Sequence, residues 1–202
     1  MTIPQQTIQS FLTELSSKNP TPGGGAVAGV LSALSSALAN MVIAYSTGKA
    51  SLSEHEQLHN DCAVFLESAA TEALVLAEAD AVAYQQVNEL WKLPEDDESR
   101  MSKWDETLTA ATMIPIKMME LSERVLITLE TLVGKTNAML ASDLAIAAVS
   151  AEAAARAGFY TAQINIKQLN ECDARQDLSA KCRDLVTSCK DKAANIEASC
   201  GV

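Results

Sequence analysis

Apolar residues recur at helical spacing through almost the whole chain, and the pattern changes character from one segment to the next. Ile8, Phe11, Leu12 and Leu15 follow Thr7 at spacings of three and four, which predicts a short amphipathic helix ending near Lys18-Asn19-Pro20. The next stretch carries no charged residue between Pro20 and Lys49 and predicts a helix over 24–46. Gly25, Gly29, Ala33 and Ala37 form one stripe along it, and Ala28, Ser32, Ser36 and Asn40 form the neighbouring one. Such small residues let another helix, or a flat ligand, come close. Ser53 with Glu56 at the capping-box position predicts the start of a long third helix reaching about Leu90 and stopped before Pro94. Residues 92–99 read as a short charged loop. A fourth helix is predicted over 98–132, with a kink near Pro115 and a stop at Gly134. An alanine-rich fifth follows over 137–169, and a more charged amphipathic sixth over 174–198. Long helices with short connections predict a single domain spanning 1–202, all-α, built as an up-and-down antiparallel helical bundle of five to six long helices.

Composition supports that expectation and narrows the partners. Apolar residues make up 48% and aromatics only 4%, so helix formers dominate and strand signals are sparse. The formal charge of −11 and the lack of any Lys/Arg cluster argue against nucleic acid, because phosphate binding needs a basic surface. Five cysteines without a CxxC or disulfide-scaffold spacing, and no secretory signal at the start, give the expectation of a reducing cytoplasm. The uncharged run is long enough to raise the question of a membrane span, but its serines, asparagine and glycines, and its lack of basic flanks, favour a buried bundle helix.

Three groups of residues carry candidate chemistry. Pro20-Thr21-Pro22-Gly23-Gly24-Gly25 is a rigid turn followed by side-chain-free residues at a helix start, where free backbone N–H groups and the positive dipole end suit an anion or polar ligand. The same residues also suit a plain helix start with tight packing. Asp80 and Asp143 have apolar residues three and four positions away and no local basic partner. A carboxylate in that setting faces a polar cavity or has a raised pKa, and either makes it a candidate acid or base; a structural hydrogen bond is the alternative. Glu78 points to a different face from Asp80, toward a neighbouring helix or a second subunit. His55, His59 and Cys62 fall at i, i+4 and i+7, but without a fourth ligand at diagnostic spacing they give a weak metal signal. No dinucleotide fingerprint, phosphate-binding loop or nucleophile elbow is present in the sequence.

These motifs fall in an order that carries a resemblance. Phe11-Leu12 and Leu15, then Pro20 to Ala26, Met41-Val42 and Thr47-Gly48-Lys49 look like the opening of the formiminotransferase-cyclodeaminase C-terminal family, which also includes free-standing methenyltetrahydrofolate cyclohydrolases. Glu78-Ala79-Asp80-Ala81 resembles its Asp-x-Asp-Ala segment and Lys92-Leu93-Pro94 its Lys-Leu-Pro. Pro115, Asn137 with Ser142-Asp143-Leu144, and Asn165 within Gln-Ile-Asn-Ile continue the match to about residue 190. Glu78 departs from the first acid of the pair, and Ala50 stands where a second basic residue is common.

The resemblance implies a homodimer acting on the one-carbon bridge of a tetrahydrofolate derivative, with no metal and no cofactor beyond that substrate. Asp80 or Asp143 would shuttle the proton. Asn137, Ser142 and Asn165 would hold the pterin edge or the tetrahedral centre, and Pro22, Gly23, Gly24 and Gly25, with Lys49, would receive the ring or the glutamate carboxylate. The family's two reactions are cyclodeamination of 5-formimino-tetrahydrofolate and hydrolysis of 5,10-methenyl-tetrahydrofolate. Overall similarity points to the first, and the absence of a transferase segment before Val202 points to the second. A non-catalytic folate- or protein-binding bundle is the alternative from another class.

Overall fold

The computed structural model describes residues 2–170 and 172–201, which form six α-helices and no strand. Helix α1 spans Ile8–Leu15, α2 Gly24–Ala44, α3 Glu56–Trp91, α4 Glu98–Leu132, α5 Ala141–Ile166 and α6 Cys172–Cys200. Side-chain caps set two of the starts. Thr7 Oγ1 accepts from the Ser10 N–H at 3.1 Å ahead of α1, and Asp97 accepts from the N–H groups of Ser99 and Arg100 at 2.9 and 3.1 Å ahead of α4. The expected capping box at Ser53 does not form. Residues Ala50–His55 wind into a 3-10 helix in which Ser53 Oγ donates back to Ala50 O at 3.0 Å, and α3 begins only at Glu56. Helix α4 continues through Pro115, and Gly134 follows its end at φ +70°, where a side chain would be strained.

Helices α2 to α5 close into a four-membered ring of antiparallel neighbours, and α6 lies outside against α5 and α4. The register can be read from paired positions. Gly25 lies against Asp80 and Gly29 against Ala77 and Ala73, while Asn40 donates to Ala63 O, so α3 descends as α2 climbs. Gly24 is level with Thr161, and Ser35 Oγ donates to Ala147 O at 2.7 Å, so α5 also runs against α2. Trp104 Nε1 donates to Gln168 O at 3.2 Å and Gly158 packs on Pro115, which aligns α4 with α5.

The small residues do packing work at these crossings. A methyl on Gly29 would stand 2.6 Å from Ala77 Cβ and 2.7 Å from Ala73 O, closer than real contacts allow. The facing alanines of α5, Ala147, Ala148, Ala151, Ala154 and Ala155, are all fully buried. Larger side chains, Leu66, Leu121, Leu126, Leu129 and Leu132, fill the ring toward the end where α2 finishes.

Candidate active site

Helix α2 starts lower in the bundle than α3 and α5 end, so its first turn opens into a cleft between them. The N-cap, Gly23, offers no side chain, and the first intrahelical bond is Val27 N–H to Gly23 O at 3.1 Å. The N–H groups of Gly24, Gly25 and Ala26 therefore have no partner within the helix. Asp80 of α3 lies directly against this turn. Its carboxylate occupies the space that a Gly25 side chain would need, so any β-carbon there would collide with it. Gly25 is thus a glycine because Asp80 is beside it.

Around the carboxylate, the side facing Gly25, Pro115 and Gly158 is too tight to admit water. The other side opens into a cavity of about 40 Å³ lined by Asp80, Tyr84 and Trp91 from α3, Ala111 from α4, and Thr161 and Asn165 from α5. Burial pushes the Asp80 carboxyl up from 3.8 to about 6. Among the described residues no cation offsets that burial. A group with this proton affinity can both take and return a proton near neutral pH. Tyr84 and Trp91 meet edge to face with centroids 6.3 Å apart and remain 40% and 37% exposed, so they form an aromatic wall at the mouth.

Pro22, Gly23, Gly24, Gly25, Asp80 and Asn165 therefore come together at one end of the bundle. Lys49, Asn137, Ser142 and Asp143 do not join them within this chain. They gather at the opposite end, roughly 27 Å away along α5, counting from Thr161 to Asp143 at helical rise. There Asn137 N–H donates to Ser46 Oγ at 2.8 Å, and Asn137 Oδ1 accepts from Met139 N–H at 3.3 Å. Lys49 is exposed ahead of the 3-10 helix. Asp143 sits in the first turn of α5, and of the four apolar neighbours that suggested a buried setting Ala147 is buried and Leu140 half-buried, whereas Met139 and Ile146 are 88% and 53% exposed. Glu78 faces away from the cleft and accepts from Ile3 N–H at 2.8 Å, so its partner is the chain's own N-terminal segment.

His59 and Cys62 are buried and engaged elsewhere. His59 Nε2 lies 2.7 Å from Lys135 O, and Cys62 Sγ is 3.7 Å from Thr131 Oγ1. Sequence spacing missed Tyr84, Trp91 and Thr161 as site residues. The signal was present, since residues 80, 84, 87 and 91 share one face of α3 and 161 and 165 one face of α5. A larger open groove of about 740 Å³ lies between α5 and α6, lined by Gln163, Lys167, Arg175 and Arg183, on the side of α5 away from Asn165.

Known proteins are similar along nearly this whole length. The chain is 26% identical to the formimidoyltransferase-cyclodeaminase of Mus musculus over 93% of its own length, and it spans 36% of that longer protein. It is 30% identical to the methenyltetrahydrofolate cyclohydrolase of Methylorubrum extorquens, each covering 82% of the other. The fold superposes on the crystal structure of a formiminotetrahydrofolate cyclodeaminase from Thermotoga maritima with a TM-score of 0.90, at 22% identity, over 98% of this chain and 96% of that one. The profile of the formiminotransferase-cyclodeaminase family matches residues 7–184, and the chain belongs to that family.

Proposed function

We propose that this protein is an enzyme of the one-carbon bridge of tetrahydrofolate that converts 5-formimino-tetrahydrofolate to 5,10-methenyl-tetrahydrofolate and ammonia. The observation that carries the reading is the Asp80 carboxyl, raised to about 6 by burial and placed against the open first turn of α2. N10 attacks the carbon of the protonated formimino group and a tetrahedral centre forms between N5 and N10. Asp80 takes the proton that N10 gives up and returns it to the nitrogen that leaves as ammonia. The amidinium charge is present before and after this step, and the carboxylate stabilises it in both. Asn165 and Thr161 supply hydrogen bonds at the cleft, and Tyr84 and Trp91 stack on the flat ring at its mouth. The reaction transfers no electrons, so it needs no redox cofactor.

The second reading is hydrolysis of 5,10-methenyl-tetrahydrofolate to 10-formyl-tetrahydrofolate. It is favoured by the reciprocal 82% coverage with the cyclohydrolase relative. In this case Asp80 would take its proton from the attacking water instead.

Parallel assays with the two folates, each following the methenyl absorbance, separate the readings. A rising band with ammonia release is the expected result. Loss of the band faster than in buffer assigns the hydrolase, and silence in both removes catalysis on these substrates.

A further inference from the structure

With a net charge of −11, the chain as a whole repels anions. One groove departs from that rule. The open cavity of about 740 Å³ between the end of α5 and the first half of α6 is lined by Lys167, Arg175 and Arg183, with Asp177 the one acid among the described lining residues. None of these three cations forms an ion pair among the described residues, whereas Arg124, Arg156 and Lys181 elsewhere each meet a glutamate. Positive charge kept apart from the protein's own carboxylates is open to those of a ligand. Gln163 points the same way. Its side-chain nitrogen is buried in the groove wall without an acceptor among the described residues. A buried donor left unpaired is costly, and a ligand oxygen in the groove would satisfy it.

We infer that this groove is a second binding site, separate from the Asp80 cleft, for an elongated polycarboxylate with hydrocarbon between its acid groups. Arg175 and Arg183 stand about 12 Å apart along α6 at helical rise, so they suit charges spread along a ligand and not one compact anion. The forked guanidinium of each matches a carboxylate through paired N–H bonds. Between the cations the lining is apolar, from Ile166 and Ala180, which receives methylene groups and gives a chain of phosphates nothing to bury. No aromatic side chain lines the groove among the described residues, so a nucleobase or a pterin has no face to stack on. Gln163 and Lys167 leave α5 on the side away from Thr161 and Asn165, which line the cleft, so the two sites are divided by the thickness of a helix, about 10 Å.

The probe is N-acetyl-triglutamate, whose carboxylates span about 10 Å when the chain is extended. Isothermal titration should show saturable binding with Kd below about 1 mM at low salt, weakening as salt rises. Neutral N-acetyl-triglutamine and tripolyphosphate should each bind at least about tenfold more weakly. Arg175→Gln combined with Arg183→Gln should weaken the triglutamate by about tenfold or more while the thermal midpoint holds. Cys172, an exposed thiol lining the groove, reports the location: bound probe should slow its alkylation by N-ethylmaleimide about threefold or more and leave Cys200 unchanged. Asp80→Asn should bind the probe as wild type does, and the double arginine variant should keep the wild-type KM for folate. No saturable binding, equal binding of either control, or an unprotected Cys172 overturns the polycarboxylate site. A higher folate KM in the arginine variant at unchanged kcat makes the groove part of the substrate's own site and overturns its independence. If wild type turns over neither folate, the functional reading fails, and the calorimetry and alkylation still decide the groove.

Discussion

Asp80 and Asp143 look alike in sequence, each with leucine, alanine, methionine or isoleucine one helical turn away on both sides. The fold separates them completely. Around Asp80, Ala77 is fully buried and Ala83 is 7% exposed while Tyr84 stands 40% exposed at the mouth of the cleft, and the carboxyl is desolvated against the start of α2. Around Asp143, Ala147 is buried but Met139 and Ile146 are 88% and 53% exposed, and the carboxylate sits in the first turn of α5. Apolar spacing says that a carboxylate shares a face with hydrocarbon. Whether that hydrocarbon meets the interior or the surface is decided by which helices pack beside it.

The largest effect should come from Asp80→Asn. With the proton shuttle removed, kcat for the proposed reaction should fall about a hundredfold or more. The same variant should be more stable than wild type at neutral pH. The folded pKa of about 6 exceeds the unfolded 3.8, so the native state holds its proton more tightly, and that contribution disappears as pH rises through about 6. At pH 7 the ionised carboxylate is a burden of up to about 3 kcal/mol, which the amide relieves, and the gap should close below pH about 4. Urea melts at pH 4 and pH 7 check this. A variant that is less active but no more stable would show that Asp80 is not desolvated as its surroundings imply.

Gly25→Ala attacks the same end without touching a titratable group. The new methyl must push the Asp80 carboxylate aside, and a displacement of that size should lower kcat/KM by about ten- to a hundredfold. Full activity would mean that the carboxylate has room to act from elsewhere, and the contrast between the two ends would lose its geometric basis.

A pH profile sharpens the comparison next. If Asp80 acts as the base in the free enzyme, kcat/KM should bend near pH 6 and fall by about tenfold for each unit below it. A profile that stays flat down to pH 5 would assign the proton transfer to another group.

Much of this arrangement was legible before the fold was known. The starts of α1 and α4 and the end of α4 before Gly134 follow from helical periodicity and a Gly, because those signals are local. The start of α3 did not, because a 3-10 turn over Ala50–His55 takes the place of the capping box at Ser53. Asp80, Asn165 and the glycine turn were found together as candidates, yet the reason for Gly25 lies in a contact across 55 positions of sequence, which no local pattern encodes. The separation of Asn137 and Asp143 from Asp80 was likewise hidden, since ordered motifs along a chain carry no statement of which end of a bundle they reach.

The smallest expected effect tests the finest version of the comparison, between two acids two residues apart. Glu78 and Asp80 leave α3 on nearly opposite sides, and Glu78 serves as the acceptor for Ile3 N–H at 2.8 Å. In Glu78→Gln the amide oxygen can accept the same bond, so stability should change by less than about 0.5 kcal/mol, as for an ordinary surface change. Turnover should stay within about threefold of wild type, because no proton on the reaction path passes through Glu78. Steady-state kinetics beside a urea midpoint distinguish this from a coupled pair. If Glu78→Gln lowers kcat as far as Asp80→Asn while the midpoint holds, the two carboxyls act together across α3, and the division between a reacting face and a bracing face of that helix does not exist.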